Sequence, residues 1–133
     1  MSNCKCSCSC SGSKQMVYAC SGASDVGELT DKIARRMAKA DNTPGGCISG
    51  MGCLAGIGAD LSGMVESAKL ANQIIAIDGC SVSCAKKLLE AKGIKTKSFN
   101  LKDLGFEKGK TPCNDYNIEK AIKKFEKMKF NSD

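Results

Sequence analysis

The stretch QIIAID, residues 73–78, decides the fold class, because it is the clearest strand in the chain. It is almost continuously apolar and rich in β-branched residues, which is typical of a central parallel strand covered on both faces. A helix is predicted directly after it, from about Ser81 to Ala91, with Gly93 as its C-terminal cap. A strand that leads at once into a helix predicts one unit of a parallel α/β sheet.

Strand and helix also alternate on both sides of residues 73–78. Further strands are predicted at residues 15–20 and 96–101. Further helices are predicted to begin at Ser24, at Asp60 or Ser62, and at Asn114 or Asp115. The glycine-rich residues 45–58 are predicted as a loop that contains at most a short strand. This order predicts a single α/β domain at residues 15–133, a three-layer sandwich with a mainly parallel sheet of the Rossmann or flavodoxin type.

Composition narrows the function classes. The chain of 133 residues contains ten cysteines but no histidine, so a catalytic Cys–His pair is excluded. No apolar run is long enough to span a bilayer, and the polar N-terminus lacks the apolar stretch of a secretory signal. We therefore expect a cytoplasmic protein without membrane contact. In a reducing compartment, cysteines are typically metal ligands or redox groups rather than the disulfide framework of an extracellular protein.

The net charge of +6 is concentrated in the lysine-rich last third of the chain. That third has no arginine and few aromatic residues between its lysines, so it lacks the stacking groups of single-stranded nucleic-acid binding. We interpret the lysines as the solvent-facing side of helices and do not expect a nucleic-acid partner. The sequence identifies no protein partner.

Cysteines follow the predicted strands at the edge where parallel sheets hold their ligands. Cys20 closes the first strand and Cys80 follows the central one, so both are expected to open onto the same crevice. The glycine-rich loop with Cys47 and Cys53 is suited to cover that crevice. Cys84 lies four residues after Cys80, and the two thiols are expected to share one face of the first helical turn.

Four of these thiolates, from Cys20, Cys53, Cys80 and Cys84, would form a closed tetrahedral metal site. Such a site suits zinc, and an iron–sulfur cluster uses the same ligands, so spacing alone leaves the metal open. The CxxC pairs of zinc knuckles do not occur, which means that tertiary folding would assemble the site. Cys113 has no assigned role.

The rival interpretation is a redox or sulfur-transfer protein. Cys80 would be its nucleophilic thiolate, and Cys84 or Cys20 would resolve the intermediate. Cys84 also has a simple packing interpretation, as a small buried apolar residue. The two functions differ in their response to a chelator, because only a structural metal site needs the ion to fold. Whether the protein is an enzyme stays open at this point.

Residues 1–14 are predicted to be a flexible tail, since they are small and polar apart from their cysteines. The tail holds a CxCxCxC motif, formed by Cys4, Cys6, Cys8 and Cys10. These thiols are too close in sequence for unstrained pairing but are free to wrap a soft cation. The tail either exchanges metal with the folded site or has only incidental metal affinity.

Three separated motifs carry a resemblance to a known family. They are CSGASDVGE at residues 20–28, CLAGIG at residues 53–58, and IDGC at residues 77–80 followed by CAKK at residues 84–87. Over about residues 17–105 the chain resembles the DGC-domain family of zinc-binding proteins, named for its Asp-Gly-Cys. The resemblance implies a small prokaryotic protein that binds zinc through four cysteines, here Cys20, Cys53, Cys80 and Cys84. It implies no reaction, and the CxCxCxC tail lies outside the matched region.

Overall fold

The computed structural model of the protein describes residues 15–39 and 50–131. The predicted tail at residues 1–14, with its four cysteines, and Cys47 lie outside these ranges.

The described residues form one sheet of four parallel strands, in the order β2-β1-β3-β4. The strands are β1 (Gln15–Ala19), β2 (Gly50–Met51), β3 (Gln73–Asp78) and β4 (Lys97–Asn100). Val17 of β1 pairs with Met51 of β2 and with Ile75 of β3. The stretch QIIAID is therefore a central strand, as its composition predicts, and the α/β fold with a parallel sheet is confirmed.

Helices cover both faces of the sheet. They are α1 (Asp25–Lys39), α2 (Leu54–Gly58), α3 (Ser62–Leu70), α4 (Cys84–Ala91) and α5 (Asp115–Asn131), with a short 3-10 turn at Leu101–Leu104. Helices α1 and α5 pack on one face, and α2, α3 and α4 pack on the other. Over residues 15–39 and 50–131, no helix is long and apolar enough to cross a membrane.

The pleat of the two central strands divides the core between these faces. Val17 and Ile75 point towards α1 and α5, whereas Tyr18 and Ala76 point towards α2, α3 and α4. All four side chains are buried. Burial of a large apolar side chain contributes about 1.5–3 kcal/mol, so this two-sided packing is the main force that holds the sheet in register.

Two elements differ from the sequence prediction. Helix α4 begins at Cys84 and not at Ser81, because Ser83 has a left-handed backbone with φ of 55° and the helix can start only after it. The glycine-rich stretch contains the short helix α2 in addition to the expected short strand. Its Ile57 is fully buried and its Leu54 packs against the same core, so apolar contacts organise a segment that composition predicts to be a loop.

Candidate functional site

Three of the predicted cysteines follow neighbouring strands at the carboxyl edge of the sheet. Cys20 follows β1 directly, and Cys53 and Cys80 each lie two residues beyond the end of β2 and β3. The strand pairing continues into two of these loops, because the N–H of Cys20 donates to the carbonyl of Ile77 at 3.1 Å and the N–H of Gly52 donates to that of Val17 at 2.9 Å. These hydrogen bonds fix the positions at which the two loops begin.

Cys20 and Cys53 open into one cleft, which has a volume of about 610 Å³. Cys53 is exposed and Cys20 is partly buried. The two residues follow adjacent parallel strands, whose spacing in a sheet is about 4.8 Å. Other side chains that line the cleft are those of Asp31, Arg35, Met51, Leu54 and Leu88. The cleft thus holds two thiols beside one carboxylate and one guanidinium group, over a partly apolar floor.

The thiol of Cys20 lies 3.4 Å from the hydroxyl oxygen of Thr30 on α1. That hydroxyl donates its proton to the carbonyl of Gly27 at 2.7 Å and accepts from the N–H of Ser21 at 3.2 Å. A hydroxyl has one proton to donate, so the sulfur is the donor in the contact with Thr30. The Thr30 hydroxyl therefore fixes the position of the Cys20 side chain beside α1.

Tyr18 lies under the loop that carries Cys53. A side chain at Gly52 would collide with the ring and hydroxyl of Tyr18, so only glycine lets this backbone rest on the ring. Burial raises the pKa of Tyr18, and the charge of the neighbouring Cys53 thiolate raises it further. The phenol therefore stays neutral beside Cys53. Sequence reasoning missed Tyr18, although its place in a strand two residues before a cysteine was visible.

Cys84 is the first residue of α4 and is exposed. Leu88, four residues later on the same face of α4, lines the cleft of Cys20 and Cys53. One helical turn rises about 5.4 Å, so Cys84 stands about that far from Leu88, towards the carboxyl edge of the sheet. Cys84 therefore lies one helical turn from a residue that lines this cleft.

Cys80 lines a different cleft, with a volume of about 280 Å³, on the side of α1 and α5. Its other lining side chains are those of Ser81, Val82, Lys102, Phe106, Glu107 and Lys108. The expected common crevice of Cys20 and Cys80 is therefore not what the structure contains. Continued alternation along β3 would point Cys80 to the same face as Tyr18, but the strand ends at Asp78 and the turn reverses its direction.

Asp78 and Gly79 fix that turn. Asp78 is only 2% exposed, and its carboxylate accepts from the N–H groups of Ala85 at 2.7 Å and Lys86 at 3.0 Å. It therefore caps the N-terminus of α4 from the end of β3. A Cβ on Gly79 would lie 2.8 Å from backbone atoms of Val26, so the turn packs directly on the start of α1.

Asn100, at the end of β4, holds the other side of the turn. Its side-chain amide donates to the carbonyl of Cys80 at 2.7 Å and to the hydroxyl of Ser83 at 3.1 Å. The cysteine of the Asp-Gly-Cys sequence is therefore positioned by contacts from β3, α1 and β4. Because its backbone is held on both sides, its thiol is a preorganised group and not part of a mobile loop.

The N-terminus of α1 also anchors a distant loop. The Ser24 hydroxyl accepts from the N–H of Gly27 at 3.1 Å, which confirms the predicted cap. The carboxylate of Asp25 accepts from the N–H groups of Gly109 at 2.9 Å and Thr111 at 3.0 Å. These hydrogen bonds, first that of Gly109 and then that of Thr111, lower the pKa of Asp25. Asp25 is thus a tie between α1 and the segment that precedes α5.

The thiols are therefore grouped by cleft and not gathered at one point. In residues 15–39 and 50–131, no three Cys, Asp or Glu side chains lie close enough together to hold a metal ion. Cys113 packs partly buried against the core on the side of α1 and α5, and burial raises the pKa of its thiol. Cys20 and Cys53, which share a cleft, are the strongest pair of soft ligands in the described part of the chain.

Comparisons with known proteins agree with the sequence motifs. The family model of the DGC domain matches residues 16–125. A segment of 74 residues is 38% identical to the "Anaerobic and virulence modulator AnvM" of Pseudomonas aeruginosa. That match covers 56% of this chain and 52% of the relative, so the chain spans about half of the length of that protein. No solved structure matches the chain.

Proposed function

This chain belongs to the DGC-domain family, and we propose that it is a metal-handling protein that binds zinc through cysteine thiolates at the carboxyl edge of its sheet. The observation that carries the proposal is the shared cleft of Cys20 and Cys53, which offers two free thiols to one bound ion. Zinc accepts thiolate ligands in its structural and exchange sites. The donor chemistry of the cleft therefore suits the ion.

We assign Cys20 and Cys53 as the first two ligands and Cys84 as the third. The position of Cys84, one turn from the cleft-lining Leu88 on α4, supports this order. Cys80 is the fourth ligand of the set expected from the sequence. It can join the others only if the turn at residues 79–83 leaves the contacts made by Asn100, so we rank it after the other three.

Ligand exposure supports handling and not permanent structural binding. Closed structural zinc sites surround the ion with four protein ligands, whereas Cys53 and Cys84 are both exposed. An ion held by exposed thiolates can pass to another thiol without passing through free solution, because ligands exchange one at a time. The Cys20 thiol also contacts the hydroxyl of Thr30 at 3.4 Å, so a bound ion would compete with one internal hydrogen bond.

The cysteines outside the described residues extend the proposal. Cys4, Cys6, Cys8 and Cys10 form a second set of soft ligands in the same chain, suited to exchange zinc with the cleft. We propose that this takes place in the cytoplasm, where thiols stay reduced. The relative is named as an anaerobic modulator, and a role that depends on low oxygen agrees with a site built from oxidisable thiolates.

The test is anaerobic purification followed by elemental analysis, a visible absorption spectrum and X-ray absorption at the metal edge. The proposal expects a colourless protein with zinc and sulfur ligands at about 2.3 Å. Substitution of Cys84 by serine should lower the number of sulfur ligands by one, and Cys113→Ser is the matched control that should not. If the protein is brown and contains iron and sulfide, the same thiols hold an iron–sulfur cluster and not zinc.

A second candidate function rests on the separate cleft of Cys80. There a preorganised thiol lies beside Lys102 and Lys108, which suits an anionic sulfur compound. The Cys80 thiolate would attack the outer sulfur of a small persulfide, so that a new S–S bond forms while the donor S–S bond breaks. The donor leaves as a thiolate, the outer proton stays on the transferred sulfur, and no external oxidant is needed.

A persulfide-transfer experiment distinguishes this second candidate function from zinc binding. The apoprotein is incubated with cysteine persulfide, and the modified cysteines are identified by mass spectrometry. Sulfur transfer predicts modification of Cys80 ahead of Cys53, although Cys53 is the more exposed thiol. Modification in the order of exposure alone would remove the second candidate and leave zinc handling.

A further inference from the structure

We propose a second binding site at the amino edge of the sheet, for a small organic anion that has an apolar body. A cleft of about 600 Å³ lies where β3 and β4 begin, next to the ends of α3 and α4. Its volume falls in the range of small-molecule sites. The thiols of Cys20, Cys53 and Cys80 follow the other ends of the strands, so this site is independent of the proposed zinc function.

The lining of the cleft has an apolar part and a cationic part. The apolar part is formed by Ala68, Ala71, Ile74 and Ile94. The polar part is formed by Lys69, Asn72, Gln73, Lys95, Thr96 and Lys97. Among the described residues that line it there is no Asp or Glu. An apolar floor with a few convergent polar groups of one charge is the usual build of a site for an amphiphilic anion.

Two of the lysines carry uncompensated charge. Lys69 and Lys95 have no hydrogen-bond or ion-pair partner in the part of the chain that the structure describes. Lys69 lies in the last turn of α3, where a cation is stabilised by the helix dipole even without a ligand. Lys95 has no such role, because it follows Gly93 in the connection between α4 and β4. An anion in the cleft would supply its counter-charge.

The side chain of Thr96 gives independent support for a ligand in this cleft. Its hydroxyl oxygen is buried and has no hydrogen-bond partner within the described residues. A buried hydroxyl without a partner costs free energy, so such groups are rare unless a ligand or water completes them. The hydroxyl lies between Lys95 and Lys97 in sequence, and all three residues line the same cleft. The ammonium of Lys97 lies 5.8 Å from the centre of the Phe99 ring, so Lys95 is the neighbouring lysine that we expect to pair with a ligand bound to Thr96.

The test is a titration of uniformly ¹⁵N-labelled full-length protein with phenyl phosphate, followed by backbone amide shifts. The proposal expects saturable shifts confined to residues 68–74 and 93–97. Inorganic phosphate, which lacks the apolar body, should bind about tenfold more weakly, and neutral phenol should cause no saturable shifts there. A second titration with benzoate, which carries a carboxylate in place of the phosphate, shows which anionic group the site binds more tightly.

Variants decide whether the cleft is responsible. Lys95→Gln and Thr96→Val should each weaken phenyl phosphate binding about fivefold to tenfold. Lys123→Gln, on the exposed side of α5, removes the same charge and should leave the affinity unchanged. Because the hydroxyl has no partner in the free protein, Thr96→Val should also keep or raise the melting temperature. Shifts spread along α5, equal affinity in Lys95→Gln, or a lower melting temperature in Thr96→Val would overturn the proposal.

Discussion

The carboxylate of Asp78, at the end of β3, accepts a 2.7 Å hydrogen bond from the backbone N–H of Ala85 in the first turn of α4. The residue that would normally cap this helix, Ser83, makes no side-chain cap. A strand residue therefore replaces the local cap across the five-residue turn that contains Cys80. As a result, the position of Cys80 is tied to the sheet on one side and to α4 on the other.

Replacement of Asp78 by asparagine should lower the free energy of unfolding by about 1–3 kcal/mol. Either the buried N–H of Ala85 or the partly buried N–H of Lys86 loses a charged acceptor at the positive end of a helix. Urea denaturation measures the change. Asp103→Asn, at an exposed site, is the matched control and should change stability by less than about 0.5 kcal/mol. Equal effects of the two substitutions would contradict the capping role.

A methyl group at Gly79 should destabilise the protein by about 1–3 kcal/mol, since its Cβ would lie 2.8 Å from the backbone of Val26. Gly63, inside α3, has no atom within 4 Å of the Cβ position. Gly63→Ala should therefore stabilise the protein, by about 0.5–1 kcal/mol. Thermal unfolding of both variants checks the opposite signs, and a loss of stability in both would show that the contact with Val26 is not the cause.

Asp25 should make stability depend on acid pH. Its pKa is lowered by the hydrogen bonds from Gly109 and Thr111, so its contribution is present above the unfolded value of about 3.9 and is lost as the pH falls through the folded value. Asp25→Asn should be less stable than wild type at about pH 7, and the difference should shrink below about pH 4. Urea denaturation at several pH values measures the difference in stability between the two proteins. A difference that stays constant over this pH range would contradict the role of Asp25.

The thiols should react with iodoacetamide at different rates. Burial raises the pKa of Cys113, so less of it is thiolate near neutral pH, whereas Cys53 is exposed. Mass spectrometry of the apoprotein over time should find Cys53 modified well before Cys113. Added zinc should lower the rate at which iodoacetamide modifies Cys53 and should leave the rate for Cys113 unchanged. Protection of both cysteines by zinc would point to a general effect on the fold instead of a site at Cys53.

The fold was largely predictable from the sequence because its core follows simple periodicity. Residues 74–77 are apolar on both faces, as expected for a central parallel strand. The boundary of α4 was not predictable, since it depends on Ser83 in a left-handed conformation and on Asp78 as a cap from another element. Helix α2 was also missed, because the burial of Ile57 depends on tertiary contacts that the local sequence does not reveal.

The site was predictable only as far as the edge of the sheet. The order of strands along the chain is enough to predict that three cysteines follow strand ends. They are Cys20, Cys53 and Cys80. Which thiols face each other depends on the pleat and on the turn after Asp78. In this structure Cys80 packs on the core beside α1 and α5 and lines a cleft other than that of Cys20 and Cys53. The role of Tyr18 depends on a glycine of another loop, and a contact of that kind is invisible in one sequence.

The most direct test of the central claim is the zinc content of a chain in which the four tail cysteines are replaced by serine, loaded with zinc under anaerobic conditions and freed of excess metal. This background should retain about one zinc per chain. Adding Cys20→Ser and Cys53→Ser should abolish binding, whereas adding Cys113→Ser should not. Zinc retained without Cys20 and Cys53, or no zinc in the background itself, would contradict a metal site in this cleft.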